Sequence, residues 1–233
     1  MSVPRALRQG IGLAMLLWTV PAASPQRGTV TGQLTLLERQ GAARRDLATA
    51  VIYLDAMDGA PRDESGEVPA EAVIAMRGRE FIPHMAVVRR GGAVQFPNQD
   101  PFSHNVFSNT DPVRFDLGLY RRGATRVASF EAPGVYPIYC NIHARMVSYV
   151  ISVPGRHVTQ ADAEGRFSLA DVPVGSYRVH VWHERATPVM QELIVPATGA
   201  VVRLSLDARG YIAGGAHLNK FGMPYSSTRS DRY

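Results

Sequence analysis

The sequence predicts an all-β protein, on three observations. Beyond the N-terminus there is almost no 3.6-residue periodicity, whereas apolar and polar residues alternate with the period of two expected of half-buried strands. Turn-formers are abundant, with 21 glycines and 16 prolines and no triplet repeat. The apolar runs are short and closely spaced, which suits sandwiches or barrels. With 233 residues, 45% hydrophobic and 19% charged, the chain has material for one to two domains and is too apolar for wholesale disorder.

The elements follow in order. Arg5 and Arg8 precede an apolar run over 11–20 and the small residues Pro21, Ala22, Ala23 and Ser24. A charged start, a short apolar core and a small-residue exit describe a signal peptide over 1–24, cleaved near 22–26. The run is about half of the ~20 apolar residues a membrane span needs. The expectation is a periplasmic or secreted protein with no membrane span after cleavage. Strands are expected at 29–37, with Gly32 inside, and at 50–54, followed by a loop over 58–70. Short strands at 73–76, 85–88 and 93–96 come next, the last two joined by a Gly91-Gly92 hairpin turn. Strands at 126–130 and 135–139 flank the turn Ala132-Pro133-Gly134, and another at 147–153 stops at Pro154-Gly155. After a turn at 162–165, strands are expected at 167–169, 177–181, 189–195 and 201–206. Residues 208–233 read as a loosely packed, flexible tail.

The net charge is +5, from 25 basic and 20 acidic residues, and Lys220 is the sole lysine. The arginines are scattered in pairs such as Arg44-Arg45, Arg89-Arg90 and Arg121-Arg122, with no concentrated basic face, so nucleic acid is not an expected partner. One cysteine, Cys140, rules out a disulfide scaffold, a zinc ribbon and a dicopper centre bridged by two thiolates. In an oxidising compartment an unpaired thiol is a liability unless something uses it.

A use is visible nearby. Cys140, His143 and Met146 stand at i, i+3 and i+6, and His104 lies upstream in the run Phe96 to Val106. Composition alone gives the two downstream matches a chance of about 0.001. Soft sulfur favours Cu(I) and imidazole also suits Cu(II), and two His, one Cys and a weak axial Met are the blue-copper donor set. The other histidines read blandly. His180 and His183 flank Trp182 on opposite faces of a strand, and His84, His157 and His217 read as surface or loop residues. No three-His cluster, phosphate loop, Ser-His-Asp set or paired carboxylate site is visible, so no enzyme activity is expected.

From about residue 72 to 154 the chain resembles the cupredoxins, the small blue copper proteins. The resemblance rests on the Cys-x₂-His-x₂-Met spacing, on His104-Asn105-Val106, on Gly134-Val135-Tyr136 before the Cys strand, and on Gly91-Gly92 before the strand ending at Asn98. It implies a Greek-key β-sandwich holding one copper on His104, Cys140, His143 and Met146, with Asn105 and Asn141 supporting the ligand loops. It also implies one-electron exchange with a redox protein such as a c-type cytochrome or a dehydrogenase. Electrons would leave through an exposed edge of His143, rimmed by Pro101, Phe102, Ile142, Ala144 and Met85, with Arg145 steering an acidic partner. Pro137 departs from the pattern. It cannot donate a ladder hydrogen bond, so an edge position or a bulge is expected there.

Four further segments, Gly28-Thr29-Val30-Thr31-Gly32, Ala50-Val51-Ile52-Tyr53-Leu54, 162–167 and 172–179, resemble the carboxypeptidase regulatory-like module, a transthyretin-like sandwich. The expectation is that 28–56 and 158–207 form one such module with the copper unit inserted between its halves; the alternative gives 28–56 to the cupredoxin. The functional expectation is an exported one-electron carrier. Copper binding and delivery is the first alternative, and a metal-free adhesion or carbohydrate-binding scaffold the second.

Overall fold

The computed structural model describes residues 26–39, 47–57, 59–60, 68–212 and 217–225. The expected signal peptide lies outside the described residues, as do 213–216 and 226–233 of the tail. The described residues are all-β. Two strands, β1 (Arg27–Leu37) and β2 (Val51–Ala56), come first. They are followed by β3 (Glu71–Val73), β4 (Ala75–Arg77), β5 (Glu80–Ile82), β6 (Met85–Arg89), β7 (Gly92–Pro97) and β8 (His104–Ser108). Next come β9 (Phe115–Tyr120), β10 (Thr125–Phe130), β11 (Gly134–Tyr139) and β12 (Val147–Val153). The chain ends with β13 (Val158–Gln160), β14 (Arg166–Pro173), β15 (Gly175–Trp182), β16 (Val189–Val195) and β17 (Ala200–Asp207). Among the described residues no helix is long and apolar enough to cross a membrane.

The strands between Glu71 and Val153 build one sandwich. A sheet ordered β10-β7-β3 faces another ordered β6-β12-β11-β8-β9. Alternation decides what lies between them: along β7, Gly92, Val94 and Phe96 turn inward while their neighbours are half-exposed. Val94 and Phe96 meet Val106, Phe130, Tyr136, Ile138 and Val150 in a core that also contains Cys140 and Met146.

The Gly91-Gly92 turn forms, with Gly91 at a φ of 76°, but it is not a hairpin. Strand β6 pairs with β12 whereas β7 pairs with β10 and β3, so the turn carries the chain from one sheet to the other. Its amides are used in that crossing, Arg90 N–H donating to the Val153 carbonyl and Gly91 N–H to that of Phe130. Pro137 makes no bulge, since β11 runs in unbroken register against β12. On the other flank β11 pairs with β8 only at Tyr139–Phe107, so the missing N–H of Pro137 interrupts no ladder there.

The strands before and after this unit pair with each other. β1 lies antiparallel to β14 and parallel to β17, and β2 lies between β13 and β15. The resulting sheets, β14-β1-β17 and β13-β2-β15-β16, close over Val30, Leu34, Ile52, Leu54, Val179 and Leu204. Gly32 is required in β1 because a Cβ there would stand 2.2 Å from the Phe167 ring. Neither β1 nor β2 joins a sheet of the central sandwich.

The two sandwiches share an apolar seam. Along β12 the alternation fails from Val150 onward because both faces are covered. Ile151 and Val153 pack on Val51 and Tyr53 of β2 and on Trp182 of β15, with Met85 and Val87 of β6 beside them. Met85 is therefore a seam residue and not part of the rim expected of it. Each such side chain contributes about 1.5–3 kcal/mol on leaving water, which fixes one sheet against the other.

Candidate metal centre

Strand β11 delivers Cys140, and a tight loop returns the chain to β12 at Val147. Two internal hydrogen bonds shape that loop: Met146 N–H donates to the His143 carbonyl at 3.0 Å, and Cys140 N–H to that of Met146 at 3.3 Å. His104 arrives at the start of β8, opposite Tyr120. The three side chains converge. Cys140 Sγ stands 3.7 Å from His104 Nδ1 and 3.8 Å from His143 Nδ1. All three donor atoms lie within 4.8 Å of one another, a group that can hold a metal ion. His104 and Cys140 are fully buried, and Met146 is buried beside them.

The far side of His104 is also engaged. Its Nε2 lies 2.8 Å from Asp100 Oδ2, an interaction the sequence reading missed. Asp100 further accepts the Gly78 N–H at 2.6 Å and the Arg79 N–H at 2.9 Å. Burial pushes this carboxyl up, but the hydrogen bonds from Arg79, Gly78 and His104 outweigh it and hold it below its usual range. An ionised carboxylate only accepts, so Nε2 carries the proton and Nδ1 presents its lone pair toward the sulfur. Burial, partly offset by Asp100, lowers the His104 pKa, which keeps the imidazole neutral at neutral pH. Burial raises the Cys140 thiol, opposed by the backbone N–H groups of Asn105, Ile142 and His143. Asn98 secures the loop before His104, donating to the carbonyls of Phe102 and Tyr120 and accepting the Asp100 N–H.

Asn105 joins the strand of His104 to the loop of Cys140: its Oδ1 accepts the Asn141 N–H at 3.3 Å and its Nδ2 donates to Asp116 Oδ1 at 2.6 Å. The Phe102 ring lies against both histidines, 5.2 Å from His104 and 5.7 Å from His143, and the Arg79 guanidinium sits 5.2 Å above it. His143, expected to show an edge, is only 7% exposed. Of the expected rim, Pro101 and Arg145 are exposed, Phe102 and Ile142 half-buried, and Ala144 buried.

The expectation of a loose tail fails for residues 217–225, which lie on the loop that begins at Cys140. Tyr225 Oη donates to the Cys140 carbonyl at 2.7 Å, and Lys220 N–H to Asn141 Oδ1 at 2.9 Å. His217, read as an ordinary loop residue, packs its ring 4.4 Å from that of Tyr139. The tail has no apolar alternation, so nothing in its own pattern signals these contacts. Of the other histidines, His84 pairs with Glu184 at 2.6 Å, His180 stacks on Tyr53, and His157 and His183 are buried.

No protein-family model matches the chain. Plastocyanins of Ulva arasakii and Ulva pertusa are each 34% identical to it over 73 residues, 28% of this chain and 74% of theirs. Among solved structures, a purple cupredoxin from Nitrosopumilus maritimus is 25% identical, covering 35% of this chain and 98% of its own, with a TM-score of 0.32. An oxidised amicyanin variant is 15% identical, covering 43% of this chain and 98% of its own, with a TM-score of 0.33.

Proposed function

This chain belongs to the cupredoxin family, and on that premise we propose that it is an exported type 1 copper protein that passes single electrons between redox partners. One observation carries the reading: a buried thiol faced by the Nδ1 atoms of two histidines, at 3.7 and 3.8 Å. A sulfur–nitrogen separation of that size suits two donors held to one metal ion at about 2.3 and about 2.0 Å, and a thiolate with two imidazoles suits copper in both oxidation states. His104, Cys140, His143 and Met146 would hold the ion. Copper bound there supplies a one-electron couple.

The protein's own part is restraint. Asp100 fixes the tautomer and direction of His104, and Asn105 ties the loop of Cys140 to β8. Phe102 screens both imidazoles from water. Donors that keep their places in both oxidation states leave little to reorganise when charge changes. The partner face would lie around Pro101, Phe102, Ile142 and Arg145, beside His143, and a c-type cytochrome or a dehydrogenase is the proposed class of partner. Export rests on the pattern of residues 1–24. The pairings of β1 and β2 with β13, β14, β15 and β17 support reading 28–56 and 158–207 as one transthyretin-like module with the copper unit, 72–154, inserted between its halves.

The test is to load the purified protein with Cu(II) and record its visible spectrum, then mix the reduced form with an oxidised c-type cytochrome. An intense thiolate-to-copper band and rapid, reversible electron exchange are expected. A colourless copper-loaded protein rejects the site. Transfer of copper to an apo acceptor without electron exchange rejects the carrier role in favour of delivery.

A further inference from the structure

We propose that residues 217–225 form a strap that holds the ligand loop in its metal-ready shape, with Tyr225 as the positioning residue. The metal half of this inference rests on the copper reading above; the mechanical half does not. The ligand loop has few bonds of its own, and several of its outward-facing polar groups end on the tail. Tyr225 Oη donates to the Cys140 carbonyl at 2.7 Å, Lys220 N–H to Asn141 Oδ1 at 2.9 Å, and His217 N–H to the Ala144 carbonyl at 3.1 Å. Buried backbone carbonyls need partners, and here one short segment supplies them to both sides of His143.

The hydrogen bonds close a circuit. Lys220 Nζ pairs with Asp116 Oδ2 at 2.6 Å, and Asp116 Oδ1 accepts from Asn105 Nδ2 at 2.6 Å. Asn105 Oδ1 accepts the Asn141 N–H, and Asn141 Oδ1 accepts the Lys220 N–H. Tail, ligand loop and the β8–β9 pair are thereby locked to one another. A second contact is apolar. The His217 ring lies 4.4 Å from Tyr139, 6.1 Å from Phe107 and 5.3 Å from Tyr225. This layer explains why β8 is buried on both faces although it lies next to the edge of its sheet.

Cys140 would be the residue most affected. Its side chain would bind the metal while its own carbonyl is gripped from outside, so the strap sets the direction of the Cα–Cβ bond that aims the sulfur. Tyr225→Phe removes the grip and keeps the ring; deletion of 217–233 removes the whole strap; Met223→Ala, at a residue 56% exposed, is the control. Three readouts apply: amide hydrogen exchange across 140–146 in the metal-free protein, the rate of copper loss to a chelator, and the energy of the thiolate-to-copper band. In Tyr225→Phe, exchange and copper loss should both rise about fivefold, as expected for one hydrogen bond, with a shifted band. The deletion should exceed this at least tenfold, and Met223→Ala should match the wild type. Wild-type exchange and an unshifted band in Tyr225→Phe overturn the proposal, and this variant decides alone if the deletion does not fold. A wild type that takes up no copper rejects the copper reading, and the exchange measurement still decides the strap.

Discussion

The two sandwiches of this molecule are built alike and end differently. Each has a tyrosine corner, in which a buried tyrosine reaches back four residues to a turn carbonyl. Tyr136 Oη donates to the Ala132 carbonyl at 2.9 Å, and Tyr177 Oη to the Pro173 carbonyl at 2.9 Å. In each the strand that follows leads to a loop containing a histidine. After β11 that loop turns His143 toward Cys140 and His104. After β15 it turns His183 onto its own backbone, where Nδ1 accepts the Arg185 N–H at 3.2 Å. The scaffold is thus neutral about chemistry. Among the described residues, donors converge only where the loop after β11 meets the start of β8, and only there does a sulfur take part.

Five substitutions test this contrast, from the largest effect to the smallest. Cys140→Ser should abolish the visible band altogether while leaving the melting of the second sandwich unchanged; a retained band would show that the sulfur is not a ligand. Trp182→Ala opens the seam, where Trp182 packs on Tyr149 at 4.8 Å between ring centroids. Removing a buried tryptophan costs about 3–5 kcal/mol, so denaturant unfolding should split into two transitions. One unshifted transition would show that the seam does not couple the sandwiches.

Asp100→Leu leaves the buried Nε2–H of His104 without an acceptor. Loss of such a supporting partner weakens metal binding about 10–100-fold, measurable by competition with a chelator. Unchanged affinity would mean that His104 is aimed by packing alone. The two corner variants, Tyr136→Phe and Tyr177→Phe, should each lower stability by about 1 kcal/mol. Only the first should disturb copper uptake, because only its strand continues into the ligand loop.

Much of this was legible in the sequence, and the omissions have physical causes. Strands such as β15 and β17 show in their alternation, and the sulfur and imidazole motif shows because Cys140, His143 and Met146 are close in the chain. Strand β9 escaped because Asp116 and Gly118 interrupt its apolar pattern, and β8 because it is buried on both faces. The turn at Gly91 was recognisable from its glycines, but local chemistry does not reveal that β6 and β7 lie in opposite sheets. Asp100 gives no periodic signal, being a loop carboxylate four residues before His104. The strap is least legible, since Tyr225 and Cys140 are 85 positions apart. Met85 was misplaced because its sheet has a second apolar face, covered by the other sandwich.

The smallest expected effect lies at the seam. Hydrogen bonding to Glu184 raises the His84 pKa, and hydrogen bonding to His84 lowers that of Glu184. The histidine's contribution is full below about pH 6.5 and fades as pH rises through its raised value. The carboxylate's contribution is present above about pH 4.5 and is lost as pH falls through its lowered value. The pair therefore supports the seam best in mildly acidic solution. Because His84 is half-exposed, the effect should stay under about 1 kcal/mol. Unfolding titrations across this range should show it in the wild type and not in Glu184→Gln; equal profiles would remove the pair from the seam.

The parallel pairing of β1 with β17 also bears on how the chain folds. Val30 meets Ala200, so the second sandwich cannot close until nearly the whole chain is available. A flexible connection of that length resists closure only logarithmically, yet such distant pairings slow folding. The intervening unit changes the problem, because once folded it brings the middle of β2 close to the start of β13, where Tyr53 pairs with Val158. The copper unit then acts as an internal template, and the expected order is middle first, ends last. Stopped-flow refolding of a variant weakened only in the copper unit, such as Val94→Ala, should delay closure of the outer sandwich; an unchanged rate would show that the ends find each other unaided.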